Sequence, residues 1–104
     1  MFPKMVRDRV VQEIVDSGRE CVITTCSSRE QFHVWAARKF TEELGEFIAE
    51  PSAEEAADFY EVFLGLLNRH GISEETVKQV AASKRERLGG FRNGTVLHKV
   101  TNAN

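Results

Sequence analysis

Two helical runs that each carry a pair of carboxylates meet at a short break in the middle of this chain. The first run ends with TEELGEF, the second begins with EEAADFYEV, and Pro51 lies between them. At roughly 100° per residue, residues three apart are neighbours one turn apart on a helix. Glu43 and Glu46 therefore form one pair, and Glu55 and Asp58 form the other. A connection this short predicts antiparallel helices whose carboxylate pairs face each other.

Two of these carboxylates are predicted to lie against the apolar faces of their helices. Glu43 is at the edge of the apolar stripe that includes Phe40. Glu55 is inside the stripe that includes Phe59. Because an unpaired charge is costly to desolvate, such carboxylates need a partner, and oxygen ligands without His or Cys favour Mg²⁺ or Mn²⁺ over zinc. The alternative is that the acids form solvated helix faces, with Glu54 and Glu55 favouring a helix N-terminus.

Capping residues and glycines predict four helices. Their expected extents are residues 4–17, then Ser27 or Ser28 to about Glu50, then Ser52 to Gly71, and last Ser73 to Gly89. Two short β-branched segments, residues 20–25 and residues 95–100, predict a minor two-stranded ribbon near the termini. We therefore expect an all-α, four-helix bundle with that ribbon, formed by residues 1–104 as one domain.

Length, charge and hydropathy limit the class of protein. The 104 residues are 41% hydrophobic and 29% charged, which suits one compact domain with a modest core. A formal net charge of −2 disfavours a binder of nucleic acid polymers. No apolar run is long enough to span a bilayer, and the N-terminus lacks the apolar core of a signal peptide. We therefore expect a cytoplasmic protein without a membrane partner.

Three blocks of the chain resemble the MazG-like nucleotide pyrophosphohydrolases of the all-α NTP pyrophosphatase superfamily, and in particular its small phosphoribosyl-ATP pyrophosphohydrolase-like members. The blocks are KMVRDRVVQEIV at residues 4–15, EELGEF with EEAADFYEV at residues 42–62, and KRERLGGFRNGTVL at residues 84–97. The superfamily's metal site is built from E-x-x-E on one helix and E-x-x-D on the next. The resemblance implies that Glu43 and Glu46, together with Glu55 and Asp58, bind Mg²⁺.

The activity implied by this resemblance is hydrolysis of a nucleoside triphosphate to the monophosphate and pyrophosphate. One further acid, Glu42 or Glu61, would orient or deprotonate the attacking water. The leading expectation is a house-cleaning enzyme that acts on non-standard or surplus nucleotides. Phosphoribosyl-ATP pyrophosphohydrolase of histidine biosynthesis is a second expectation, and a catalytically inactive helical interaction module is a third.

The resemblance also implies contacts between substrate phosphates and basic residues near both ends of the chain. Lys4, Arg7 and Lys84 are the candidates. Members often carry Arg directly before Gly-Gly-Phe, where this chain has Leu88, so Arg87 would have to replace it. We also expect a homodimer or higher homo-oligomer, because apolar residues of the third helix spread over a wide arc and superfamily members are typically dimers or tetramers.

Overall fold

The computed structural model describes residues 2–102, and all regular secondary structure in this range is helical. The four helices are α1, Val10–Asp16; α2, Arg29–Ala49; α3, Ala53–Arg69; and α4, Glu74–Leu88. The prediction of an all-α chain with four helices is confirmed. Within residues 2–102, no helix has both the length and the apolar character needed to cross a membrane.

The connection between α2 and α3 is defined by a serine cap and a proline. The side chains of Ser28 and Ser52 accept hydrogen bonds from the backbone N–H groups three residues later, at the starts of α2 and α3. Such N-caps satisfy donors that the helix itself leaves unpaired. Between the helices, Glu50 leaves the helical region with φ −146° and ψ 76°, and Pro51 follows. Because a residue before proline is disfavoured in the helical conformation, α2 ends here as predicted.

The packing of α2 on α3 shows that the two helices are antiparallel. Phe40 and Phe59 meet edge to face, with ring centroids 4.8 Å apart, near the connecting turn. At the open end of the hairpin, the Nε2 atoms of His33 and His70 lie 3.0 Å apart. Ala36, between these two contacts along α2, is completely buried. The hairpin therefore brings the end of α2 and the start of α3, which carry the acids, to the same end.

Helix α1 is shorter than predicted, because it begins at Val10 and not near Lys4. Among residues 2–102, the side chain of the N-cap residue Arg9 finds no capping hydrogen bond. The positive charges of Arg7 and Arg9 also lie at the helix end where the helix dipole favours negative charge. The N-terminal segment before α1 is therefore not helical. The predicted C-terminal end is confirmed by Gly18, which has φ 84°.

The predicted two-stranded ribbon is wrong for the part of the chain that the structure describes. Residues 20–25 and residues 95–100 have no regular secondary structure. Val22 is completely exposed, and Leu97 is 76% exposed. A two-stranded ribbon is marginal in water unless it packs on further structure, and exposed apolar side chains provide no such packing. The strand propensity of these two segments is therefore not sufficient to form a ribbon.

The contacts divide the chain into two compact units, one ending at Ile72 and the other beginning at Ser73. The second unit contains α4, whose N-cap is Ser73; its hydroxyl accepts a hydrogen bond from the N–H of Thr76. The helix ends at Gly89, which has φ 82°, a conformation that glycine adopts without steric cost. All residues of α4 are at least partly exposed. The prediction that residues 1–104 form one domain stays a prediction.

Candidate metal centre

The turn end of the α2–α3 hairpin brings the four predicted metal ligands together. One carboxylate oxygen from each of Glu43, Glu55 and Asp58 lies within 4.8 Å of the other two. Glu42, Glu43 and Glu46 form a second group within the same limit. Glu43 belongs to both groups. The two groups therefore form one set of five acids, which we call the acid cluster.

Glu43 is the buried member of the acid cluster, with 4% of its surface exposed. Its Oε1 lies 3.1 Å from the Nζ atom of Lys39. Its Oε2 is shielded from solvent and has no hydrogen-bond partner among residues 2–102. Removing a charged oxygen from water without a hydrogen-bond partner costs more free energy than removing a neutral one. One oxygen of Glu43 is therefore paired within the chain, and the other is available to a ligand.

The side chain of Glu55 has two possible uses, as a capping group of α3 or as a metal ligand. Its backbone N–H donates to the Ser52 hydroxyl at 3.1 Å, which is one half of a capping box. The other half would need the Glu55 carboxylate to accept a hydrogen bond from the N–H of Ser52. Within the described part of the chain, Glu55 Oε2 instead lies shielded from solvent without a hydrogen-bond partner. The carboxylate points across the hairpin toward Glu43, as expected of a ligand.

The surroundings of Glu55 disfavour its negative charge. Burial, and then the charges of Glu46, Asp58 and Glu43, hold the pKa of the Glu55 carboxyl above its usual range. Among the described residues, no lysine or arginine forms an ion pair with Glu55. A cation bound between these carboxylates would remove the repulsion that raises this pKa.

The N-terminal segment before α1 lies beside the acid cluster. The Nζ atom of Lys4 is 3.7 Å from Glu42 Oε1. Arg7 donates a hydrogen bond of 2.8 Å to Asp58 Oδ1, and its other terminal nitrogen is 3.9 Å from Glu61 Oε1. Two of the bases predicted to contact phosphate are thus adjacent to the acid cluster. Their contact with phosphate stays a prediction.

The two acids predicted to act on the attacking water, Glu42 and Glu61, have different environments. Lys39 donates a hydrogen bond of 3.3 Å to Glu42. Burial opposes ionisation of Glu42, but this hydrogen bond and the charges of Lys39 and Lys4 outweigh it, so the pKa of Glu42 is below its usual range. Glu61 is half exposed, has Arg7 as its ion partner, and is not a member of the acid cluster. Glu42 is therefore firmly ionised, whereas Glu61 faces solvent.

The two remaining predicted phosphate ligands, Lys84 and Arg87, lie on α4 in the second unit. Both residues are exposed. Their side chains are free to contact a ligand on the surface of that unit. Their contact with phosphate stays a prediction.

Lys39 is a residue of the site that the sequence analysis missed. It lies three residues before Glu42 and four before Glu43 on α2, at the spacing that brings side chains together on one helix face. This spacing was the signal that would have identified it. Burial lowers the pKa of Lys39, but hydrogen bonds to Glu43 and Glu42 and their charges outweigh it, and the pKa is above its usual value. Lys39 is therefore a stable cation inside the acid cluster.

The acid cluster fits a hard divalent cation. Two of its oxygens, Glu43 Oε2 and Glu55 Oε2, are shielded from solvent and lack a hydrogen-bond partner within residues 2–102. All potential ligands in the two groups are carboxylate oxygens, which suit Mg²⁺ or Mn²⁺ better than a metal that prefers nitrogen or sulfur.

Comparison with known proteins identifies no relative: no family profile, curated protein or solved structure matches the chain significantly. The resemblance to the MazG-like pyrophosphohydrolases therefore rests on the three sequence blocks. The function is inferred from these blocks, the acid cluster and the bases beside it.

Proposed function

We propose that the chain is a Mg²⁺-dependent nucleoside triphosphate pyrophosphohydrolase that releases pyrophosphate and a nucleoside monophosphate. The observation that carries this proposal is the pair of shielded oxygens, Glu43 Oε2 and Glu55 Oε2, which lack a hydrogen-bond partner among the described residues. They belong to residues on facing helices that each have a carboxylate oxygen within 4.8 Å of the other's, so a cation held between these two carboxylates would compensate both charges. The sequence resemblance supplies the substrate class, which we take to be non-standard or surplus nucleotides.

In this proposal the four acids predicted from the sequence hold the cation: Glu43, Glu46, Glu55 and Asp58. When bound, Mg²⁺ neutralises triphosphate oxygens and lowers the pKa of a bound water, and Mn²⁺ can substitute for it. Glu42 or Glu61 orients this water or accepts its proton. The two acids would act from different starting points. Glu42 would act while it accepts a hydrogen bond from Lys39, whereas the ion pair of Glu61 with Arg7 would have to break.

The bases beside the acid cluster bind the phosphates of the substrate. Arg7 pairs with Asp58 in the structure, and Lys4 lies near Glu42. A cation held by Asp58 would compete with Arg7 for this carboxylate, and the guanidinium group of Arg7 has the geometry to bind a phosphate instead. The predicted phosphate contacts of Lys84 and Arg87 concern the second unit by itself.

One structural observation favours a different class of function, a catalytically inactive helical interaction module. Glu42, Glu43, Asp58 and Glu61 already have Lys or Arg partners in the chain. If these ion pairs are permanent, the acids serve the fold and not a cation. In either case we expect a cytoplasmic protein that binds no nucleic acid polymer.

Self-association is a further part of the proposal, most simply as a two-fold dimer. Apolar side chains of the hairpin remain exposed: Leu44 by 48%, Ile48 by 68% and Tyr60 by 41%. An exposed apolar face on a small protein is commonly covered by a second copy. Sedimentation tests it, because a species near the chain mass of 11.8 kDa, with activity per chain unchanged on dilution, would show that the monomer suffices.

The activity itself is tested with a panel of nucleoside triphosphates and phosphoribosyl-ATP in the presence of Mg²⁺. Products are separated by chromatography, so that pyrophosphate is distinguished from orthophosphate. We expect pyrophosphate release that stops when the divalent cation is chelated. Preference for phosphoribosyl-ATP would indicate the biosynthetic enzyme, and preference for another nucleotide would indicate the house-cleaning enzyme.

A matched pair of variants connects the activity to the site. Glu55→Gln removes a charge from the acid cluster, and Glu54→Gln removes a charge from the neighbouring exposed position, outside the cluster. We expect the first variant to lose pyrophosphate release and the second to keep it. Equal activity in the two variants would contradict the proposed site. Absence of hydrolysis for every nucleotide, without stabilisation by Mg²⁺ or Mn²⁺, would favour the interaction module.

A further inference from the structure

Lys39 differs from the other bases near the acid cluster in how firmly it is held. Its Nζ atom is 3.1 Å from Glu43 Oε1 and 3.3 Å from Glu42 Oε1. Its side chain is 15% exposed, whereas that of Arg7 is 54% exposed. Lys39 is on the same helix as its two partners, and Arg7 belongs to the non-helical N-terminal segment. Arg7 can therefore turn to solvent or to a phosphate, but Lys39 stays beside Glu43.

We propose that Lys39 is a built-in counter-cation that orients the carboxylate of buried Glu43 before any metal arrives, and that in doing so it weakens the binding of a divalent cation to the acid cluster. The inference rests on the cation site of the proposed function, but it does not require hydrolysis of any particular nucleotide.

The orientation follows from the two oxygens of Glu43. Lys39 occupies Oε1, while Oε2 is shielded from solvent and without a hydrogen-bond partner in the described residues. With Oε1 held by an ammonium group, Oε2 is the oxygen of Glu43 that remains for a cation, and Glu55 and Asp58 each have a carboxylate oxygen within 4.8 Å of a Glu43 oxygen. Lys39 thus orients the Glu43 carboxylate and also compensates its negative charge.

The weakening follows from Coulomb's law. A divalent cation at Oε2 and an ammonium group at Oε1 would share one carboxylate, so their charges would repel across a few ångströms. Even with water-like screening, this repulsion corresponds to a change in affinity of about tenfold. Removing the charge of Lys39 should therefore strengthen cation binding, although it should also make the metal-free protein less stable by leaving Glu43 without its partner.

The test measures Mn²⁺ binding directly, by the decrease in the electron paramagnetic resonance signal of free Mn²⁺. Lys39→Gln removes the charge but keeps a hydrogen-bond donor for Glu43, and Lys39→Arg keeps the charge. Lys78→Gln is the matched control, because Lys78 has the same four-residue spacing to an acid, Glu74, at 3.9 Å, but on an exposed helix surface. Thermal melting in the presence of a chelator is recorded for each variant.

We expect Lys39→Gln to bind Mn²⁺ about tenfold more tightly than the wild type. It should also melt at a lower temperature without metal and show a larger rise in melting temperature when Mn²⁺ is added. Lys39→Arg and Lys78→Gln should bind Mn²⁺ as the wild type does. If Lys39→Gln is unfolded without metal, its folding on addition of Mn²⁺ gives the same support, and failure to fold with Mn²⁺ counts against the inference.

Unchanged or weaker Mn²⁺ binding in Lys39→Gln would overturn the inference and leave the cation site in place. A wild type that binds no Mn²⁺ would overturn both the inference and the cation site. Normal Mn²⁺ binding without hydrolysis of any nucleotide would reject the proposed enzyme, while the behaviour of Lys39→Gln would still decide the role of the lysine.

Discussion

The same substitution at two neighbouring ligands should have opposite effects on the stability of the metal-free protein. Glu43 has a cation partner, Lys39 at 3.1 Å, whereas Glu55 has no such partner among the described residues and is surrounded by acids. Glu43→Gln weakens a charge-assisted hydrogen bond in a largely buried position, whereas Glu55→Gln removes a charge that burial and the neighbouring acids disfavour. The first variant should therefore be less stable than the wild type in a chelator, and the second should be more stable.

The magnitude for Glu43→Gln follows from its contacts. Hydrogen bonds to charged groups contribute about 1.5–3 kcal/mol, but glutamine still accepts a hydrogen bond from Lys39, and repulsion from Glu55 and Asp58 is relieved. We expect a net loss of about 1 kcal/mol, which lowers the melting temperature by roughly 4–8 °C for a chain of this size. For Glu55→Gln the expected direction is a rise.

Addition of the cation should make both variants less stable than the wild type, which reverses the order for Glu55→Gln and increases the deficit of Glu43→Gln. At a concentration of about 100 times its dissociation constant, Mg²⁺ stabilises the wild type by about 2.7 kcal/mol, or roughly 10–20 °C in melting temperature. Both variants should lose most of this rise, because each lacks one charged ligand. Differential scanning fluorimetry measures the melting temperatures of both variants and of the wild type, with and without Mg²⁺.

Two results would refute this reasoning. If both variants are destabilised equally in the chelator, the ion pair of Glu43 with Lys39 does not distinguish the two acids. If both retain the full rise with Mg²⁺ while Glu54→Gln loses it, the cation binds elsewhere on the hairpin.

Three further predictions use the same site. Asp58→Asn should abolish pyrophosphate release but change the unfolding free energy by no more than about 1 kcal/mol, since its ion pair with Arg7 is half exposed; urea unfolding and the nucleotide assay measure the two effects. In a chelator, the stability that comes from the raised pKa of Glu55 is present at low pH and is lost as pH rises through that pKa. The lowered pKa of Glu42 has the opposite effect, because the stability that it contributes to the protein is lost as pH falls through that pKa. Melting curves recorded against pH for Glu42→Gln and Glu55→Gln separate the two contributions. Ser52→Ala should cost about 1 kcal/mol through loss of the α3 cap, and thermal melting that matches the wild type would contradict this.

The sequence by itself determined the helices and the position of the acids along them. Ser28, Ser52 and Ser73 cap α2, α3 and α4 as predicted, and Pro51 ends α2. These features can be predicted because a cap bonds to a backbone group only a few residues away. The spacing of the acids relative to the turn was likewise sufficient to place the predicted ligands at one end of an antiparallel hairpin.

Only the tertiary structure decided which groups pair with the acids and which oxygens remain without a partner. Arg7 and Asp58 are 51 residues apart in sequence, and Arg7 lies in the non-helical segment before α1. Helical periodicity had predicted a helix that includes this segment, over residues 4–17. The spacing of Ser52 and Glu55 suited a capping box, but the structure turns the Glu55 carboxylate across to Glu43.

The predicted two-stranded ribbon is a second case in which the local sequence did not determine the structure. Residues 20–25 and residues 95–100 have the composition of strands, but a strand requires a partner and an apolar surface to cover. Burial, ion pairing and strand pairing all depend on residues that are distant in sequence. Propensity and spacing therefore predicted the elements of this protein, whereas packing determined the charge environment of Glu43, Glu55 and Lys39 on which its chemistry depends.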